Sequence, residues 1–259
     1  MNFFRKILLP GIVVFSFHIS PAQTDTAQKI YYPVPVQLAA SKNFGFNSCS
    51  LCLIEKFFPI GWSKDGNFAF ATEPVDEACG CYYFSLEIIN LAKDSFVWYF
   101  SYNSEEGGFE NNNKDSGATH KQYLKRQQIW QGEYARFSKK LNQFKIIPSV
   151  SSSFEKFPMP VNNEKIDLSL KESLKFHGAD FNDSAWCDSV VLIKNNSVHA
   201  QQLVRVEYNY RAPLDRPVEG YLKSPYENAG VIVLVYEQEG WEGPPEIYVY
   251  HIIGFSLYK

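Results

Sequence analysis

The chain lacks the marks of familiar chemistry. It has no G-x-S-x-G elbow, no H-E-x-x-H zinc helix, no P-loop and no glycine-rich dinucleotide turn, which removes the commonest hydrolase, metalloprotease and nucleotide-binding signatures. Ser153-Phe154-Glu155-Lys156 satisfies S-x-x-K, but it has no companion motif and lies in a Pro- and Ser-rich stretch, so it is not read as a catalytic pair. Histidines are few, and no two of His120, His177, His199 and His251 stand at metal-ligand spacing. Cations are outnumbered, 25 Lys and Arg against 28 Asp and Glu, which argues against broad nucleic-acid binding, since that needs a basic face to neutralise phosphates. Apolar runs long enough to span a bilayer are missing too. The longest, Ile7 to Ile19, is about 13 residues against the roughly 20 that a spanning helix needs.

That run is informative for another reason. Arg5 and Lys6 precede it, and Ser20-Pro21-Ala22 supplies small residues where a signal peptidase reads, so residues 1–22 are expected to be a secretory signal peptide. Its removal takes away two cations and no acid and leaves a net charge of −5. The expected location is outside the cytoplasm, secreted or periplasmic, with no transmembrane segment in the mature chain.

All five cysteines fall after the signal. Cys49 and Cys52 form one close pair, Cys79 and Cys81 another, and Cys187 stands apart. In an oxidising compartment the clustered four are read as disulfides, with a tetrahedral zinc site or redox-active thiols as the alternatives.

The aromatic share, 16%, favours β-sheet, where rings pack on a pleated surface. Leu51 to Ile60 is apolar enough for a first strand. Ser63 to Asn67 is turn chemistry, after which Phe68, Phe70 and Thr72 alternate with Ala69, Ala71 and Glu73. Tyr82 to Ile89 alternates again, and Ser95 to Phe100 closes a four-stranded meander. Residues 101–118 form an aperiodic loop with Gly107-Gly108 and three asparagines. Beyond it Tyr123, Trp130, Tyr134, Phe137, Leu141 and Phe144 recur at helical spacing from Thr119, with Gly132 as a weak point. The far side of that helix carries Lys121, Lys125, Arg126, Lys139 and Lys140. It is read as a solvated face, with contact to anionic lipid as the alternative.

Residues 146–170 are rich in Pro and Ser and are expected to cross between halves. Strands follow at Trp186 to Ile193 and Gln201 to Tyr210. Gly220 to Lys223, a turn over Ser224 to Asn228, Ala229 to Glu237 and Ile247 to Leu257 then repeat the order of features seen from Gly61 to Leu91. The alternative is that any turn between two strands shows this order. Val231 to Val235, apolar at every position, is expected to be covered on both faces.

Trp62-Ser63-Lys64-Asp65-Gly66-Asn67-Phe68-Ala69-Phe70 resembles the W-S-x-D-G strand turn of TolB-type propeller blades. Lys223 to Asn228 and Gly240 to Pro244 are similar to segments of uncharacterised bacterial secreted proteins. The resemblance implies architecture and no activity. A closed propeller needs about four blades and only two are legible, so an open pair of sheets or a sandwich stands beside it.

The expected fold is therefore mainly β (α+β): two antiparallel blade-like β-meanders, pseudo-repeated, joined by a loop and one amphipathic helix. The units run over 23–103 with the Cys cluster, 104–165 as loop and helix, and 166–259. Candidate surfaces are the acidic residues Glu73, Asp76 and Glu77 in one loop and Glu237, Glu239 and Glu242 in the corresponding one. Their oxygens suit calcium or a cationic partner, and solvated loops are the plain alternative. Trp241, between Gly240 and Gly243, is a candidate aromatic platform. The expected function is a non-catalytic binding protein without a cofactor, presenting loops to a protein or glycan of the cell envelope. The alternatives are a carboxylate-dependent hydrolase, marked by a carboxyl of raised pKa in a cleft between the halves, and a zinc or redox module on the cysteines.

Overall fold

Ser63 and Ser224 close equivalent turns. The N–H of Ser63 donates to the Asn67 carbonyl at 2.9 Å, and its hydroxyl accepts from the N–H of Asn67 at 3.0 Å. The N–H of Ser224 likewise donates to the Ala229 carbonyl at 2.8 Å, and its hydroxyl accepts from the N–H of Tyr226 at 3.2 Å. Both serines are buried. A hydroxyl held inside a turn satisfies backbone donors that the strands on either side leave over.

These turns belong to a computed structural model that describes residues 53–76, 81–104, 118–148, 154–161, 164–176, 185–194, 202–208, 218–226, 229–238 and 247–257. All of them lie in the unit Tyr31–Lys259. The molecule is mainly β, with antiparallel sheets and two described helices. The strands are β1 (Leu53–Ile54), β2 (Lys56–Trp62), β3 (Asn67–Glu73), β4 (Tyr83–Asn90), β5 (Ser95–Asn103), β6 (Ile147–Pro148), β7 (Met159–Val161), β8 (Glu164–Phe176), β9 (Ala185–Lys194), β10 (Gln202–Tyr208), β11 (Val218–Lys223), β12 (Ala229–Gln238) and β13 (Ile247–Ser256). The helices are α1 (Ala118–Gly132) and α2 (Tyr134–Gln143).

Three sheets result. The first has the order β5-β4-β3-β2-β6, the second β1-β13-β12-β11 and the third β10-β9-β8-β7. Each contains an antiparallel meander of consecutive strands, and β1 joins the second sheet parallel to β13.

The layers stack in the order helices, first sheet, second sheet, third sheet. Phe58, Ile60, Ala69, Ala71, Leu86 and Ile88 face the helices, where they meet Trp130, Phe137 and Leu141. The opposite face of the same strands, with Phe57, Phe68 and Phe70, packs on Val231, Val233, Val235 and Tyr250 of the second sheet. The far face of the second sheet, with Ile232, Ile253 and Phe255, packs on Ile166 and Leu192 of the third. Covering on both faces is why β12 is apolar at successive positions. Alternating Phe and Ala along β3 has a similar cause. The alanines let the helices come close, and the phenylalanines fill the space between sheets, with Phe57 at 5.5 Å from Phe70 and 5.6 Å from Tyr250 between ring centroids.

Four expectations change. The single helix is two, broken at Glu133 after Gly132, whose missing side chain weakens the helix while no atom lies within 4 Å of where a Cβ would sit. Residues 166–259 supply two sheets rather than one meander. The stretch read as a crossing holds β6 and β7 and leads into β8. Finally, the strand expected over Leu51 to Ile60 is two strands in two sheets, β1 in the second and β2 in the first, and the residue at the changeover is Glu55.

Candidate functional site

Glu55 stands where the chain leaves one sheet for the next. Its N–H donates to the Tyr248 carbonyl at 2.9 Å, continuing the pairing of β1 with β13. There the strand ends, and the Glu55 side chain takes over: Oε2 accepts the N–H of Tyr250 at 2.7 Å. Further along the same edge Asp94, in the turn before β5, accepts the N–H of Gly254 at 2.7 Å. A Cβ at Gly254 would lie 3.1 Å from the Leu91 Cα and 3.3 Å from Asp94 Oδ1, so glycine is what lets this turn reach the strand.

Between these two carboxylates lies a cavity of 290 Å³, near the lower end of the range for small-molecule sites. The first sheet contributes Phe70, Thr72, Glu87 and Ile89. The second contributes Tyr250, His251 and Ile252, and Glu55, Asp94 and Phe96 complete the wall. Phe96 is 65% exposed and stands at the rim. Another hollow, of 410 Å³, is lined by Lys64, Asp65, Asn142 and Lys145. Its Lys145 and Asp65 already pair at 2.7 Å, which leaves little to recognise a ligand.

Burial pushes the Glu55 carboxyl from 4.5 to about 7. Its bonds to the Tyr250 N–H and to Thr72 pull it back, and the charge of Glu87 pushes it up again. Burial also raises Glu87, against a bond from the Ser85 hydroxyl, and raises Asp94, against the bond from Gly254. Burial lowers His251 to about 4, so at neutral pH it brings no positive charge to the cavity. Lys56, next in sequence to Glu55, is turned away and bonds Glu73 at 3.0 Å. Among the described residues no cation pairs with Glu55, Glu87 or Asp94.

Two hydroxyls link two of these carboxyls. Glu55 bonds Thr72, Thr72 Oγ1 lies 2.9 Å from Ser85 Oγ, and Ser85 Oγ lies 2.7 Å from Glu87 Oε1. Three hydrogen bonds in a row need three hydrogens, and Thr72 and Ser85 own one each. All three form together when one of the two glutamates is protonated. With Glu87 ionised, every bond points toward Glu87 and Glu55 holds the proton. With Glu55 ionised, the directions reverse.

The residues singled out in the sequence lie elsewhere. Glu73 ends β3 and is buried. Its carboxylate accepts from Arg126 at 2.7 Å, from Lys56 at 3.0 Å and from the Tyr82 hydroxyl at 2.9 Å. It is an internal ion-pair member rather than a loop ligand. Arg126 is correspondingly removed from the basic face: it is buried, with its guanidinium 4.3 Å from the centre of the Phe58 ring. Lys125 lies over the Tyr82 ring at 5.6 Å, Lys139 is exposed, and Lys140 bonds Gln143 at 3.0 Å. Lys121 is in α1. Asp76 accepts the N–H of Cys81 at 2.6 Å. Glu237 is in β12 opposite Tyr248 and not in a loop. Cys81 is disulfide-bonded. Cys49, Cys52, Cys79, Glu77, Glu239, Glu242 and Trp241 lie outside the described residues.

Among the described residues no group of three or more His, Cys, Asp or Glu is placed to hold a metal ion, and no helix is long and apolar enough to cross a membrane. No protein family, curated protein or solved structure matches the chain.

Proposed function

We propose that the protein is an exported binding protein whose recognition element is the cavity between the first and second sheets, and that the cavity takes a protonated amine or guanidinium group of its partner. One observation carries this: three carboxyl groups, from the β1–β2 changeover, β4 and the turn before β5, surround one cavity and none has a cation paired with it among the described residues. Buried carboxyls without a counter-charge are costly to ionise, and an incoming cation repays that cost when it completes the pair. The rings of Phe70, Phe96 and Tyr250 add faces that favour a cation over a neutral group. The disulfide at Cys81 supports export, since such bonds persist in oxidising compartments.

Titration of the purified protein with n-butylammonium chloride tests the reading, with n-butanol as the uncharged counterpart. The amine is expected to shift the amide resonances of Glu55, Asp94 and Ile252 in the NMR spectrum while the alcohol leaves them in place. Equal response to both compounds, or to neither, removes the cation-binding reading.

A second reading rests on the two carboxyls, Glu55 and Glu87, that burial raises within one cavity. A protonated and an ionised carboxyl in one cleft are the parts of an acid–base pair in glycoside hydrolysis. Release of reducing ends from cell-envelope polysaccharide by the wild-type protein, lost in Glu55→Gln, would establish it. A purified wild-type protein that releases none leaves binding alone.

A further inference from the structure

The proposed amine site has a wall made of backbone. Strand β1 pairs with β13 only at Ile247 and Tyr248, so from Val249 onward no described strand is hydrogen-bonded to this edge of β13. Two of its N–H groups are taken by side chains, Tyr250 by Glu55 and Gly254 by Asp94. Backbone groups alternate along a strand. The N–H and C=O of Ile252, midway between, therefore point to the same side, away from β12, and Ile252 also lines the cavity.

We infer that this edge receives an extended peptide from the partner, which pairs with Ile252 and carries a lysine or arginine side chain into the cavity. The inference rests on the amine-binding reading and names the partner that supplies the amine. Glu55 and Asp94 act as brackets. Each carboxylate occupies the position of a carbonyl in a neighbouring strand, and the gap they leave spans one host residue's pair of backbone bonds. The guest residue opposite Ile252 has its side chain on the same face as that of Ile252. Ile252 packs toward the first sheet, and Glu87 of that sheet lines the cavity there. A basic side chain at that guest position thus enters between Glu55, Glu87 and Asp94, where the charge is complementary. Strand addition of this kind draws affinity from the backbone and selectivity from the alternate side chain.

The test compares four probes on the full protein: acetyl-Val-Lys-Val-amide, the same peptide N-methylated at the lysine nitrogen, acetyl-Val-Gln-Val-amide and n-butylammonium. The lysine peptide is expected to bind about tenfold more tightly than butylammonium, the gain of one added pair of backbone hydrogen bonds. N-methylation, which removes the guest donor but keeps the charge, should return the affinity to that of butylammonium, and the Gln peptide should bind more weakly than the lysine peptide. Hydrogen exchange at the Ile252 amide should slow with the lysine peptide and not with butylammonium.

If butylammonium binds and the lysine peptide gains nothing, or N-methylation changes nothing, strand addition is overturned and the amine site stands. If neither butylammonium nor any peptide binds, both fall. An Ile252 amide already protected in a self-associated protein, and released on dilution, gives the edge to a second copy and also overturns the proposal.

Discussion

Two buried glutamates lie on opposite faces of the first sheet, and their surroundings differ in one respect. Glu73, 4% exposed, faces the helices and has Arg126 and Lys56 on its oxygens. Glu55, 6% exposed, faces the second sheet and has a backbone N–H, a threonine hydroxyl and another carboxyl for company. The first is a closed arrangement that holds α1 to the sheet: charge, counter-charge and the Phe58 ring beneath the guanidinium. The second has no cation paired with it among the described residues and borders a cavity. A buried carboxylate that the fold has already neutralised is structural, whereas one held at the edge of ionisation by burial is a place for a ligand.

The largest effect expected from breaking this contrast is on the helix side. Arg126→Met leaves Glu73 with the partly exposed Lys56 as its one remaining described cation, beside the Tyr82 hydroxyl, and should lower the unfolding free energy in urea at pH 7 by about 3–5 kcal/mol. The double variant Glu73→Gln/Arg126→Met should recover most of that. Equal losses in the single and double variants would show that the pair does not hold the helix.

Next comes the pH dependence of the cavity side. A carboxyl raised from 4.5 to about 7 on folding contributes stability that is full below 4.5 and lost as pH rises through 7, about 3 kcal/mol at most. His251 acts in the opposite sense. Lowered from 6.5 to about 4, it contributes stability above 6.5 that is lost as pH falls through 4. The two overlap, so the quantity to measure is the stability of wild type minus that of Glu55→Gln by urea titration between pH 4 and 8. That difference should fall steadily from pH 4.5 to 7. A flat difference would mean that Glu55 titrates alike in the folded and unfolded chain.

Smaller effects sharpen the comparison. Ser85→Ala interrupts the hydroxyl chain between Glu55 and Glu87 and should cost about 1 kcal/mol in thermal unfolding. No change would mean that the chain of hydrogen bonds is idle. Phe96→Ser, at an exposed rim position, should leave stability within about 0.5 kcal/mol. It should weaken butylammonium binding by about 0.5–1 kcal/mol through the lost ring face, and an unchanged affinity would remove Phe96 from the site.

Much of the architecture was legible in the residues. The two-residue period of Tyr82 to Ile89 and of Phe68 to Glu73, the Ser63 to Asn67 turn, the aromatic stripe from Trp130 to Leu141 and the fully apolar Val231 to Val235 all correspond to observed elements and faces. The site was not. In Leu51 to Ile60 only the adjacent charges of Glu55 and Lys56 mark the change of sheet, and two charges inside an apolar run fit one continuous strand equally well. Glu55 is the one available signal, a carboxylate amid apolar residues, whereas Glu73 and Asp76 of the acidic clusters do not line the cavity. Clustering was a poor guide, since Glu73 proved to be buried by pairing and Glu237 to belong to a strand. A third sheet was likewise beyond reach, as strand pattern does not specify which strands pair.

The most direct test of the central claim is calorimetric titration with n-butylammonium at pH 7 in two buffers of different ionisation enthalpy. With a carboxyl near pKa 7 at the site, a bound cation should expel about half a proton per ligand, so the two apparent enthalpies should differ by that fraction of the difference between buffers. Binding with identical enthalpies in both buffers would contradict the account, because the amine would then be held without displacing a proton from Glu55.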